Sequence, residues 1–227
     1  MSGRRMEWLV ALLVSGLLQS DAAPAQTCPE SCMALLGPTV CFPVAAKDSV
    51  RVSSDGSRYN RGAFDLVQGK ILAHAASAST AFASVSARDF YTVVGPSAGT
   101  PVSFIVRLYI QGTVSRKCSP HGHCGSYSLS SGILDVQSGA VVTNSLPNNI
   151  IELPLTKLAG QPFELRWTMY SEGTGSDGVN GGSASQQGEF LFAMPPGTSI
   201  QSCWGFDPSG AVPTQRTTWG AVKALYH

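Results

Sequence analysis

The sequence has few charged residues and no marked excess of either sign. Asp, Glu, Lys and Arg make up 13% of its 227 residues, which is about half of the usual fraction near 25%. The 15 basic and 14 acidic residues leave a formal net charge of +1. A protein that binds nucleic acid or an anionic membrane usually carries a strongly basic face. The composition therefore predicts no nucleic-acid partner and no polybasic membrane contact.

The sequence also lacks, in its N-terminal region, an apolar run long enough to span a membrane. The run Leu9–Leu18 has ten residues, whereas a transmembrane helix needs about 20. Arg4 and Arg5 precede this run, and the small residues 23–25 (Ala-Pro-Ala) follow it. This order is typical of a secretory signal peptide. We predict cleavage after Ala25, Sec-type export to the periplasm or the cell exterior, and no transmembrane segment in the mature chain.

Six cysteines follow the predicted cleavage site, and an even number in an exported chain favours disulfide bonds. They are Cys28, Cys32, Cys41, Cys118, Cys124 and Cys203. Cys118 and Cys124 enclose five residues between strand-like segments, so we predict that they close one loop. The other four cysteines can pair in three ways. Because three of them crowd near the N-terminus, we expect at least one to bond to the distant Cys203.

The composition and the hydrophobic pattern favour a β-protein. Gly (24 residues) and Pro (14 residues) are frequent, as in turn-rich all-β folds. Strict alternation over Pro101–Ile110 predicts a strand with Val102, Phe104, Val106, Leu108 and Ile110 on one face. In Pro162–Tyr170 the same period predicts one face with Phe163, Leu165, Trp167 and Met169, and the other with Glu164, Arg166, Thr168 and Tyr170.

Weaker strands and turn signals extend this pattern along the chain. Further strands are predicted at Asn60–Val67, Phe90–Val94, Gly125–Val136, Ile150–Leu155, Glu189–Met194 and Ser199–Phe206. The Ala-rich segment 70–90 is interpreted as strand with a small-residue face, although Ala also favours helices. The Gly-rich segment 172–188 is predicted to be a mobile loop.

We therefore predict a single antiparallel β-sandwich or jelly-roll-like domain with disulfides. The predicted organisation is a signal peptide (1–25), a Cys-containing N-terminal segment (26–58), the β-sandwich (59–208) and a C-terminal tail (209–227). A chain of this size with 43% hydrophobic residues can bury a sizeable core.

One short string matches the nucleophile elbow of α/β-hydrolases. Gly95-Pro-Ser97-Ala-Gly99 fits G-x-S-x-G, a motif that needs a strand before the serine and a helix after it. Here Thr100-Pro101 and a strong strand pattern follow instead. A hairpin turn explains the string better than a catalytic Ser97.

A second string resembles a nucleotide-binding or calcium-binding loop. Gly173, Gly175 and Gly178 match G-x-G-x-x-G, but no helical pattern follows to bind a pyrophosphate. Asp177 within the same stretch is a fragment of a Gly-rich calcium repeat, which needs several copies to bind calcium. We interpret the stretch as ordinary turn chemistry, and the sequence predicts no cofactor.

The loop between Cys118 and Cys124 contains His121 and His123. Two thiolates and two imidazoles could bind zinc or copper, or the two histidines could bind a metal beside an intact disulfide. Structural zinc sites usually draw their ligands from separate elements, and these four residues come from one short loop. The favoured interpretation is a disulfide-closed hairpin tip with solvated histidines.

Aromatic residues near the C-terminus raise the possibility of carbohydrate binding. Trp219 and Tyr226 could stack on sugar rings if they lie exposed side by side. Trp204, which follows Cys203, is more simply a core residue packed beside a disulfide.

Two longer segments carry a resemblance to a known class of proteins. DFYTVVGPSAGTPVSFIVRLYIQGTVS, followed later by GEFLFAMPPGTSIQSCWGF, resembles uncharacterised exported bacterial β-sandwich domains often found in PEP-CTERM-type surface proteins. The resemblance covers residues 60–206 and implies an exported β-sandwich without an assigned activity. The C-terminal residues RTTWGAVKALYH do not match the apolar sorting tail of those proteins.

These observations favour a non-catalytic structural or binding module of the cell exterior, with an unknown partner that could be the cell surface or a glycan. One alternative is a secreted hydrolase or metal-dependent enzyme that uses Ser97 or His121 and His123. Another is a carbohydrate-binding module.

Overall fold

The computed structural model describes residues 28–35, 39–42, 48–55, 57–175 and 181–206. The predicted signal peptide and the predicted tail lie outside these ranges. The described residues form thirteen strands, and no helix among them is long and apolar enough to cross a membrane. The strands are β1 (Cys32–Leu35), β2 (Val40–Cys41), β3 (Asp48–Ser54), β4 (Arg58–Asp65), β5 (Lys70–Ser77), β6 (Thr80–Val94), β7 (Pro101–Lys117), β8 (Ser126–Asp135), β9 (Val141–Asn144), β10 (Asn149–Leu158), β11 (Pro162–Thr174), β12 (Gly181–Ala193) and β13 (Ser199–Ser202).

The strands form two antiparallel sheets that pack face to face. Sheet 1 has the order β2-β1-β6-β11-β8-β9, and β13 pairs with the part of β6 beyond β1. Sheet 2 has the order β10-β7-β12-β5-β4-β3. Strands β1 to β3 come from the predicted N-terminal segment and pair within these sheets. The prediction of an all-β antiparallel sandwich with disulfides is confirmed.

Alternation along the long strands decides which residues enter the core. In β6 every second residue from Ala81 to Val93 is buried, and in β7 the same holds from Val102 to Ile110. The predicted inward face of Pro162–Tyr170 is likewise buried in β11. The Ala-rich segment 70–90 is strand, as predicted, but it forms β5 and the first part of β6, separated at residues 78–79, and not one long strand. Ala73, Ala75, Ala81, Ala83 and Ala87 are buried in the core.

The core is packed differently at its two ends. At one end aromatic rings fill the space: Trp167 stacks on Phe190 with centroids 4.1 Å apart, and Tyr91 lies 4.9 Å from Phe192. The indole N–H of Trp167 donates a hydrogen bond to the Tyr91 hydroxyl (3.2 Å). Trp204 is buried near this end, as the sequence predicted.

At the other end the two sheets approach to backbone contact. A Cβ built on Gly182 would overlap with the carbonyl oxygen of Ser126, and one built on Gly173 would overlap with that of Gly182. The prediction of a mobile loop over residues 172–188 is therefore wrong for most of the segment. Residues up to Thr174 belong to β11 and residues from Gly181 to β12, and the glycines permit close sheet packing.

All six cysteines form disulfides. The bonds are Cys28–Cys203, Cys32–Cys41 and Cys118–Cys124. The structure thus contains the predicted loop closure at Cys118 and the predicted link from the N-terminal cysteines to Cys203. The bond to Cys203 joins positions 175 residues apart, so it ties the first described residue to the residue that follows β13.

Candidate functional site

Ser97 lies in an exposed turn between β6 and β7. Its carbonyl oxygen accepts a hydrogen bond from the N–H of Thr100 (3.1 Å), and Gly99 has a φ of 82°. In the described part of the chain no hydrogen bond joins the Ser97 hydroxyl to a base. Because a strand and not a helix follows, the motif does not build a nucleophile elbow.

His121 and His123 are exposed at the tip of the β7–β8 hairpin. The N–H of Ser119 donates to the carbonyl of His123 (2.8 Å), and the disulfide between Cys118 and Cys124 closes the turn. The two sulfur atoms are bonded to each other, so neither is available as a thiolate ligand for a metal ion. Within the described ranges no group of three or more His, Cys, Asp or Glu side chains is placed to hold a metal ion. Asp177, Gly178, Trp219 and Tyr226 lie outside those ranges.

The outer face of sheet 1 brings together the side chains with the most binding chemistry. Strand alternation places Phe82, Ser84, Ser86 and Arg88 of β6 and Arg166, Thr168, Tyr170 and Glu172 of β11 on this face. The register pairs them in four rows, Arg88 with Arg166, Ser86 with Thr168, Ser84 with Tyr170 and Phe82 with Glu172. Ser130 and Ser128 of β8 extend the last two rows. We call these ten residues the sheet 1 face.

Two arginines lie directly opposite each other at one end of the sheet 1 face. Arg88 binds Glu164, with its Nε 2.7 Å and its Nη2 2.6 Å from Oε1. Glu164 is 7% exposed, so the ion pair with Arg88 neutralises a carboxylate that is largely shielded from water. Arg166 makes no ion pair or hydrogen bond with any other described side chain, and its Nε is buried without a partner. The pair therefore retains one uncompensated positive charge.

Two aromatic rings lie at the other end of the sheet 1 face. Phe82 and Tyr170 are stacked, with centroids 6.4 Å apart and an interplanar angle of 23°. The Tyr170 hydroxyl donates to Oε2 of Glu172 (2.8 Å). Burial, the hydrogen bond and the charge of Glu172 together raise the pKa of Tyr170 to about 12. Tyr170 thus stays neutral at physiological pH and keeps a fixed orientation.

Free hydroxyl groups occupy the space between the arginines and the aromatic rings. Ser84, Ser86, Thr168 and Ser130 point outward here and are partly or fully exposed. Among the described residues, none of these four hydroxyls forms a side-chain hydrogen bond. Arg166 and Tyr170 are four residues apart on one strand, which corresponds to about 13 Å. The face therefore presents a cation, unpaired hydroxyls and an aromatic platform within the length of a short oligosaccharide.

The outer surface of sheet 2 offers less binding chemistry than the sheet 1 face. An open depression of about 550 Å³ is lined by Ile105, Pro154, Thr156 and neighbouring residues, and its Ser103 and Thr156 hydroxyls already bond to each other (2.9 Å). His74 lies on the outer face of β5, edge-on to Tyr59 at 5.2 Å. Burial and the nearby charge of Arg61 lower the pKa of His74, so its ring is neutral.

The sequence pattern identified three of the ten residues of the sheet 1 face. Alternation placed Arg166, Thr168 and Tyr170 together on the face of β11 opposite the core, and this is confirmed. The β6 half was missed because Ala-rich sequence gives a weak strand signal. The alternation of Phe82, Ser84, Ser86 and Arg88 with small apolar residues was a signal that could have placed these four residues on one face, but their register with β11 comes from the structure.

No known protein family matches the sequence, and no curated protein matches it. Among solved structures, one match is the carbohydrate-binding module TmCBM61 in complex with beta-1,4-galactotriose. It is 10% identical, covers 64% of this chain and 88% of that chain, and has a TM-score of 0.27. At so low a TM-score, this likeness carries no information about the ligand of the present chain.

Proposed function

We propose that the protein is an exported, disulfide-stabilised β-sandwich that acts outside the cytoplasm as a non-catalytic carbohydrate-binding module. The observation that carries the proposal is the sheet 1 face, where the aromatic pair Phe82 and Tyr170 adjoins outward hydroxyls with no side-chain partner. The ligand is held on the surface of a sheet and not in a pocket.

The chemistry of the sheet 1 face suits a polyhydroxylated ligand. A sugar ring has apolar C–H faces that pack on an aromatic ring, and Tyr170 is held in one orientation by Glu172. The ring hydroxyls of a sugar need both donors and acceptors, and Ser and Thr hydroxyls supply both. Glu172 adds a charged acceptor, which strengthens such hydrogen bonds.

The setting outside the cytoplasm is supported by the cysteine chemistry and the N-terminal sequence. Three disulfides are typical of an oxidising environment, and the N-terminal pattern is typical of a signal peptide. The resemblance to exported bacterial β-sandwich domains of PEP-CTERM-type surface proteins supports the same location.

The test is affinity electrophoresis of the oxidised protein through gels that each contain one soluble polysaccharide, with Tyr170→Ala and a matched variant. The control is Tyr109→Ala, which removes an outward tyrosine from sheet 2. We expect at least one polysaccharide to retard the protein. Loss of an aromatic contact worth about 0.5–1.5 kcal/mol should weaken that binding about twofold to tenfold in Tyr170→Ala only.

Two results would overturn the proposal. If no polysaccharide retards the protein, carbohydrate binding is wrong. If Tyr109→Ala loses retardation and Tyr170→Ala keeps it, the ligand binds to sheet 2 and the assignment to the sheet 1 face is wrong.

A further inference from the structure

The cross-strand pair Arg88 and Arg166 indicates what kind of ligand the sheet 1 face takes. We propose that this face binds an anionic glycan, and that Arg166, with Arg88 beside it, binds a carboxylate or sulfate group of the sugar. This inference rests on the proposed carbohydrate-binding function and adds the charge of the ligand to it.

The arrangement of the two guanidinium groups is unfavourable without a ligand. Residues directly opposite on antiparallel strands have Cβ atoms about 4.5–5.5 Å apart, and like charges there are destabilising. Arg88 and Arg166 stand in this relationship. A local conflict of this kind is expected where a protein keeps residues for binding and not for stability.

The carboxylate that forms an ion pair at this end of the face is already engaged. Glu164 binds both Nε and Nη2 of Arg88 through one carboxylate oxygen, and its backbone N–H donates to Oε1 of Gln137 (2.9 Å). Glu164 thereby fixes the position of Arg88 and leaves Arg166 uncompensated. The Nε of Arg166 has no hydrogen-bond partner in the described part of the chain, so no described side chain neutralises the charge of this guanidinium group.

The surroundings of Arg166 favour an anion carried by a sugar over a free ion. Ser86 and Thr168 form the adjacent row and offer hydroxyl donors on the same face. Glu172, the other carboxylate on the face, is six residues from Arg166 along β11, about 20 Å away. An acidic sugar at the arginines can therefore continue over the hydroxyls toward Tyr170 without meeting a negative charge until the far end.

The probes are polygalacturonate and its fully methyl-esterified form, which share a backbone and differ in charge. Dextran sulfate and dextran provide the matching pair for sulfate. The proteins are the wild type, Arg166→Gln and the control Arg61→Gln. Arg61 lies on the outer face of sheet 2, and its Nε is likewise buried without a partner, so this control removes an equivalent charge from the opposite face.

We expect the wild type to bind at least one acidic probe more tightly than its uncharged counterpart. Arg166→Gln should lose about tenfold to a hundredfold of that affinity, since a hydrogen bond to a charged group is lost. It should lose less affinity for the uncharged probe than for the acidic one, and Arg61→Gln should bind both probes like the wild type. Which acidic probe is preferred identifies the anion as carboxylate or sulfate.

The possible failures are distinguishable. Equal binding of acidic and uncharged probes, with Tyr170→Ala impaired, would overturn the anionic ligand and leave the carbohydrate-binding function standing. Equal losses in Arg166→Gln and Arg61→Gln would show nonspecific attraction of a polyanion and also overturn the inference. Absence of binding to every polysaccharide would overturn both proposals. Thermal melting of Arg166→Gln at or above the wild-type temperature would show that any lost binding is not due to unfolding.

Discussion

Ser202 of β13 donates a hydrogen bond to Oδ2 of Asp89 in β6, and both residues are buried. The same Ser202 oxygen accepts hydrogen bonds from the N–H groups of Trp204 and Phe206 (3.1 Å each). Asp89 points into the core because it follows the inward alternation of β6. A single buried carboxyl thus organises the C-terminal end of the described chain, next to the disulfide at Cys203.

Because the carboxyl group of Asp89 is buried, we predict that the protein becomes less stable to unfolding as the pH rises through the acid range. Burial raises its pKa from 3.8 to about 7, although hydrogen bonds from Ser202 and from nearby backbone N–H groups oppose the shift. The folded protein therefore holds the proton more tightly than the unfolded chain, and the free energy of unfolding decreases between about pH 4 and pH 7. The full effect is at most about 4 kcal/mol.

Asp89→Asn should remove this dependence, because an amide has similar shape and does not titrate. The test is urea unfolding at several pH values, which gives the difference in the free energy of unfolding between the variant and the wild type at each pH. His74, whose pKa burial and the charge of Arg61 lower in the folded state, contributes a slope of opposite sign that cancels in that difference. The control is Asp48→Asn, which removes the carboxyl group of an exposed residue of β3. Parallel profiles for the wild type and Asp89→Asn would contradict the prediction.

Removal of the disulfide Cys28–Cys203 should destabilise the protein more than removal of Cys118–Cys124. The two bonds span sequence separations of 175 and 6 residues. Loop-closure entropy predicts losses of about 5 and about 2 kcal/mol respectively. Guanidinium unfolding of the two double Cys→Ala variants tests the order. A larger loss on removal of Cys118–Cys124 would mean that chain entropy does not govern these bonds.

The ion pair between Lys157 and Asp135 links the two sheets. Lys157 of β10 places its Nζ 2.8 and 2.7 Å from the carboxylate oxygens of Asp135 in β8, and the side chain of Asp135 is 1% exposed. Lys157→Met should cost about 3–5 kcal/mol, because it leaves a buried charge without a counterion.

The double variant Lys157→Met with Asp135→Leu should recover part of that loss, since no isolated charge remains. Denaturant unfolding of the wild type, the two single variants and the double variant gives a double-mutant cycle. Additive losses would show that the two side chains act independently. The exposed pair Arg107 and Glu152 is the reference, and Arg107→Met should cost less than about 1 kcal/mol.

Gly182→Ala should disrupt the end of the sandwich where the sheets touch. Its Cβ would overlap with the backbone carbonyl of Ser126 in the opposite sheet, and backbone cannot move aside as a flexible side chain can. We expect a loss of several kcal/mol, above the roughly 1–3 kcal/mol typical of overpacking. Ser183→Ala, one residue further on the outer face, should change the melting temperature little. A well-folded Gly182→Ala protein of wild-type stability would show that the sheets can separate there without cost.

The sequence by itself determined the type of fold and much of its covalent framework. Strict alternation in β7 and β11 fixed their inward faces, because a pleated strand sends successive side chains to opposite sides. Dense Gly and Pro punctuation indicated antiparallel connections, and the short spacing of Cys118 and Cys124 predicted their bond. The outward position of Arg166 and Tyr170 followed from the same alternation.

Only the tertiary structure decided which outward residues are neighbours. Arg88 and Arg166 are 78 positions apart in sequence, and Phe82 and Tyr170 are 88 apart. Alternation assigns a residue to a face, but the register between two strands is set by how the whole sheet pairs and packs. The same reason explains Asp89 and Ser202, whose contact depends on where β13 joins β6. The binding face and the buried carboxyl are therefore products of register, which no local pattern in the sequence contains.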